Sequence, residues 1–125
     1  MDYHGIVINL SIKDKSLLKS LNKIGQKKVI LNWLVLLKIS VQPEELDVMI
    51  KKLQSSLVER FLFYETHFYF HFYRSEELIV VFKKKIFRTT TDPTTWGEVM
   101  AYGRTLGIPE KQLDFSPCHF NDETF

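Results

Sequence analysis

From Ile6 to Ile12 the residues Ile6, Ile8, Leu10 and Ile12 alternate with Val7, Asn9 and Ser11, which places four branched side chains on one face of a predicted strand. Asp14 is then placed to cap a helix whose Leu17, Leu18, Leu21 and Ile24 share a face, with Gly25 as its stop. In the stretch 29–41 the leucines favour helix, whereas the β-branched residues and Trp33 favour strand. Apolar odd positions from Leu31 to Val41, set against Asn32, Lys38 and Ser40, give a period of two and decide for strand. Pro43 with Glu44 and Glu45 opens a second helix, and Leu46, Met49, Ile50, Leu53 and Leu57 form its buried stripe.

Aromatic side chains occupy both faces of the chain from Phe61 to Tyr73, so this strand is expected inside a sheet. Arg74–Glu77 is a polar connector, Leu78–Phe82 an antiparallel return, and Lys83–Lys85 a second turn before Ile86–Thr90, which together make a three-strand meander. Asp92 and Pro93 start a third helix, with Thr95 and Glu98 as an alternative capping box. Trp96, Val99, Met100, Gly103 and Leu106 face inward, and Gly107 terminates the helix. Gly97 and Gly103 are each expected to mark a close approach, since glycine inside a helix costs about 1 kcal/mol relative to alanine.

The order β-α-β-α-β-β-β-α predicts an α+β fold with helices packed on one face of a mainly antiparallel sheet. At the level of layers it resembles an elaborated sandwich of ferredoxin-like type, a resemblance that implies no particular function because such folds host many. Residues 1–108 are read as one domain. Residues 109–125 carry four acidic side chains against one lysine and are expected to dock on that body through Leu113, Phe115, Phe120 and Phe125.

Charge and composition narrow the function classes. With 17 basic and 15 acidic residues the net charge is only +2, which gives no bulk attraction to nucleic acid or anionic membrane. The longest uncharged apolar stretch, Val29 to Leu37, is too short to span a bilayer, and Met1–Gly5 lacks the basic start of a secretory signal. The single cysteine, Cys118, has no internal disulfide partner, so a reducing, cytoplasmic setting is the expectation. Nothing matches a phosphate-binding glycine loop, and Glu44–Glu45 and Glu76–Glu77 are explained by a helix start and a turn.

Three patterns could carry function. Glu65, His67, Tyr69, His71 and Tyr73 fall on one strand face and could bind a ligand or a second subunit. His67 and His71 stand roughly 13 Å apart on an extended strand, too far to share one metal ion, so no metal and no cofactor is assigned. Lys83, Lys84, Lys85 and Arg88 could contact phosphates, although lysines at turns also serve solvation and edge protection. Cys118–His119 pairs a nucleophile with a base in sequence, yet adjacent side chains diverge and no third member is evident. The resulting expectation is a non-catalytic interaction or small-ligand-binding module, homodimeric through its aromatic sheet face. A nucleic-acid-associated protein is the alternative, and an enzyme comes third.

Overall fold

In the computed structural model, residues 1–29, 34–61 and 64–125 are described. The first strand, β1 (Tyr3–Ile8), is followed by α1 (Lys15–Ser20), β2 (Lys23–Val29) and β3 (Leu34–Val41). Next come α2 (Leu46–Ser55) and a small hairpin of β4 (Arg60–Phe61) with β5 (Tyr64–Glu65). The meander β6 (Tyr69–Arg74), β7 (Glu77–Phe82) and β8 (Lys85–Thr90) and the helix α3 (Gly97–Thr105) complete the fold. Six strands form one antiparallel sheet in the order β2-β3-β1-β6-β7-β8. The α+β reading and the three-strand meander are therefore present.

Local chemistry sets most of the helix ends. The Asp14 carboxylate accepts from the Ser16 and Leu17 amides, and Asp92 accepts from Thr94 at the single 3-10 turn that precedes α3. Pro43 starts a 3-10 turn leading into α2, whose Leu46, Ile50 and Leu53 are buried on one stripe as their spacing requires. Gly107 takes φ +81° just beyond α3, a conformation that glycine adopts without a Cβ penalty.

Several sequence expectations are corrected. The first strand ends at Ile8, and Asn9–Ser11 turn as a 3-10 helix. Val7 is fully buried against the helices while Ile6 is buried on the opposite face, because β1 is central in the sheet. The first helix stops at Ser20 rather than at Gly25. Leu21 turns extended and packs in the core, and Lys23–Val29 pairs with β3, leaving Ile24 42% exposed. Within the predicted strand 29–41, Leu34–Val41 is strand, while Leu31, Asn32 and Trp33 lie outside the described residues. The predicted strand 61–73 is broken into β4, β5 and β6, with Leu62 and Phe63 outside the described residues.

The largest correction concerns the layers. Helices α1 and α2 cover one face of the sheet through a cluster that includes Val7, Ile39, Ile50, Leu53, Phe70, Phe72 and Val81. Helix α3 and the chain from Ile108 to Phe125 cover the other, around Ile6, Tyr73, Leu78, Val80, Phe82, Val99 and Phe115. One-sided helix packing thus gives way to a sheet whose central strands are buried on both faces, as their composition requires. Phe70 and Phe72 face one layer and Tyr69, His71 and Tyr73 the other, so neither side of β6 can be left in water. Gly5 sits opposite Phe72, and a Cβ there would meet the ring at 2.5 Å, so glycine lets that ring lie across β1. Among the described residues no helix is long and apolar enough to cross a membrane.

Candidate functional site

The face of β6 that carries Tyr69, His71 and Tyr73 is the inner wall of a compartment closed by the chain after α3. Each of the three side chains holds a successive point of that segment. The Tyr69 hydroxyl donates to the Gln112 carbonyl and lies 3.3 Å from the Asp114 carbonyl. His71 Nε2 donates to the Pro117 carbonyl at 2.9 Å, and the Tyr73 hydroxyl donates to Glu123 Oε2 at 2.5 Å. Phe115 is fully buried between these anchors, edge-on to Tyr69 and Trp96.

The far end of the segment is held by charge. Glu123 Oε2 also accepts from His4 Nδ1 at 2.5 Å, and Lys38 Nζ stands 3.5 Å from Glu123 Oε1 while donating to the Phe125 main-chain oxygen. Lys38 is only 6% exposed, an uncommon burial for a lysine that these two partners offset. Burial raises the Glu123 pKa, but the hydrogen bonds from His4 and Tyr73 and the charge of Lys38 outweigh it and hold the carboxyl below its usual range. The Tyr73 phenol is raised by burial and by the neighbouring Glu123 carboxylate.

Between this segment and the β1–β3 side of the sheet lies a cleft of about 530 Å³. Ile6, Ile8, Val29, Leu34, Leu36 and Phe68 give it an apolar lining, and Ile108 closes one side. Polar groups converge from His67, Tyr69, His71, Lys111, Gln112, Asp114 and Ser116. Burial lowers the His71 pKa to about 4, so its imidazole is neutral at pH 7 and carries its proton on Nε2, toward Pro117. Burial likewise pushes the Tyr69 phenol up to about 12. Neither group is poised to exchange protons near neutrality.

Of the five residues expected on one strand face, Tyr69, His71 and Tyr73 share it. The exposed His67 lies in the loop before β6, at the cleft rim, and Glu65 lies in β5, away from the main sheet. Glu65 and His67 also line a separate cleft of about 350 Å³ with Arg60, Lys83 and Lys84. The surface expected to serve self-association is therefore occupied by the protein's own chain.

Of the basic candidates Lys84 is exposed at the turn, and Lys83, Lys85 and Arg88 have intramolecular engagements. Lys83 Nζ donates to the Gln54 and Ser55 carbonyls at 3.3 and 3.0 Å, where it satisfies the end of α2. Lys85 lies over the rings of Phe87 and Tyr102, and Arg88 pairs with Asp47 at 3.2 Å in an exposed contact. Cys118 is buried, and its burial and the charges of Asp122 and Asp114 raise the thiol pKa, the opposite of what an activated nucleophile needs.

No known protein family, curated protein or solved structure matches the chain. Function must be argued from its own geometry. Sequence reasoning missed His4, Lys38 and Glu123 as members of one cluster, because they stand on β1, on β3 and near the chain end. The available signal was the acidic, phenylalanine-bearing segment 109–125, which needed a basic and apolar surface to rest on.

Proposed function

We propose that this protein is a non-catalytic module that binds a small amphipathic molecule in the cleft between β1–β3 and the segment 108–116. The observation that carries this reading is the cleft itself: about 530 Å³, within the range of ligand sites, lined mainly by apolar side chains with polar groups from His67 and the segment 111–116. An apolar body would lie against Ile6, Ile8, Leu34 and Leu36. A hydrogen-bonding head group would face His67, Lys111, Gln112 and Ser116. Binding rather than catalysis is supported by His71 and Tyr69, whose polar atoms hold the protein's own backbone.

The order β1-α1-β2-β3-α2-β6, with β1 and β3 adjacent and α1 and α2 on one face, supports reading the first part of the chain as a split βαβ arrangement of ferredoxin-like type. On that reading β7, β8 and α3 extend it, and the segment 108–116 after α3 walls the cleft. Nucleic-acid binding through Lys83, Lys84, Lys85 and Arg88 has less support, since all but Lys84 already have an intrachain partner. A cytoplasmic setting and two-fold association remain part of the proposal, the latter through surfaces other than Tyr69, His71 and Tyr73.

The test is titration with a fluorescent apolar anion, followed by displacement with medium-chain carboxylic acids, alcohols and amines. Saturable one-to-one binding that is lost when Leu36→Trp fills the cleft supports the reading. No binding, or binding unchanged in Leu36→Trp, overturns it.

A further inference from the structure

We propose that Cys118, His119 and Asp122 form a binding site for one divalent metal ion of zinc-like preference. The Cys118 Sγ, an imidazole nitrogen of His119 and a carboxylate oxygen of Asp122 lie within 4.8 Å of one another. Tetrahedral zinc holds its sulfur, nitrogen and oxygen ligands at about 2.0 to 2.3 Å, which puts ligand atoms roughly 3.3 to 3.8 Å apart. His119 and Asp122 are solvent-accessible, so their side chains have room to turn toward the buried thiol.

The local chain explains how residues so close in sequence converge. Phe120–Asp122 forms a 3-10 turn in which the Asp122 amide donates to the His119 carbonyl at 3.1 Å, folding Asp122 back beside His119. Both flanks of the turn are anchored. His71 holds Pro117, the residue before Cys118; His4 and Tyr73 hold Glu123 immediately after the turn, and the Phe120 ring stacks on His4 with centroids 4.0 Å apart. Ligands carried on a backbone fixed from both sides are preorganised, which lowers the entropic cost of capturing an ion.

The chemistry of the set is selective. A thiolate, an imidazole and a carboxylate match zinc or cobalt rather than magnesium or calcium, and three protein ligands leave a fourth position for water. No hydrogen bond or ion pair among the described residues occupies the three side chains. Because Asp122 adjoins Glu123, the ion would also brace the point at which the chain end is latched to the sheet.

Titration of the full chain with zinc alone, by calorimetry and by competition with a chromophoric chelator, tests the site. The expected result is one ion per chain with proton release, and with cobalt a thiolate-to-metal charge-transfer band. Asp122→Asn and the surface variant His119→Ala should each weaken zinc by at least about tenfold, and Cys118→Ser should abolish the cobalt band. Absence of uptake at micromolar zinc overturns the site. So does uptake that His119→Ala and Asp122→Asn leave unchanged while circular dichroism shows both folded, since that describes adventitious binding to other histidines.

Discussion

The Tyr73 hydroxyl donates to the Glu123 carboxylate at 2.5 Å across 50 residues of sequence, joining the buried middle of the sheet to the end of the chain. The same carboxylate oxygen accepts from His4, so removing it leaves two donors without their acceptor. Glu123→Ala is expected to cost about 1–3 kcal/mol, the range for stranding a buried hydrogen-bonding group. Urea unfolding would measure the loss, and hydrogen exchange should accelerate first in residues 117–125. The double variant with Tyr73→Phe should lose less than the sum of the single losses, because the pair is one interaction.

His71 makes stability depend on pH in a defined direction. Its folded pKa, about 4, lies below the 6.5 of an unconstrained histidine, so between these values the unfolded chain binds a proton that the folded chain refuses. The His71 contribution is therefore constant above about pH 6.5 and lowers stability as pH drops from about 6.5 toward 4, by on the order of 3 kcal/mol in full. Urea midpoints across that window should show the slope, and His71→Gln should flatten it at some cost in stability at pH 7.

The two helix glycines differ in what surrounds them. A Cβ at Gly103 would stand 2.5 Å from Leu113 Cδ2, whereas one at Gly97 meets nothing within 4 Å. Gly103→Ala should destabilise by about 1–3 kcal/mol through overpacking and loosen the docking of Leu113. Gly97→Ala should stabilise by up to about 1 kcal/mol by restricting the unfolded chain. Thermal melts of the two variants side by side decide the point, and equal shifts would contradict it.

Lys83 and its neighbour Lys84 separate structure from solvation. Lys83→Met removes the cation that satisfies the last carbonyls of α2 and should cost about 0.5–1.5 kcal/mol. Lys84→Met should stay within about 0.5 kcal/mol of the parent, as surface changes away from such contacts do. A common effect of the two on stability would mean that the turn acts only through its net charge.

Much of the local structure was legible in the sequence because it rests on neighbours within a few residues. The Asp14 and Asp92 caps, the Pro43 start, the Gly107 stop and the buried Leu46, Ile50 and Leu53 of α2 all follow from spacings of at most a few turns, whereas Leu57, expected on the same stripe, lies beyond the helix. The aromatic residues on both sides of β6 correctly announced an interior strand. The same local reasoning placed Gly25 at a helix end, where pairing of Lys23–Val29 with β3 overrode it. It also expected close approach at Gly97, where there is open space.

What alternation along a strand states is that two faces differ; it does not state what lies above each. The sequence by itself determined the helix starts at Asp14, Pro43 and Asp92, most of the residues apolar enough to be buried, and that the acidic end segment needed a surface. Only the tertiary structure decided that this segment covers Tyr69, His71 and Tyr73, that Lys38 and His4 meet Glu123, and that a cleft remains beside Leu36. Those contacts join residues 43 to 119 positions apart, and chain geometry fixes such pairs only after the sheet order is set.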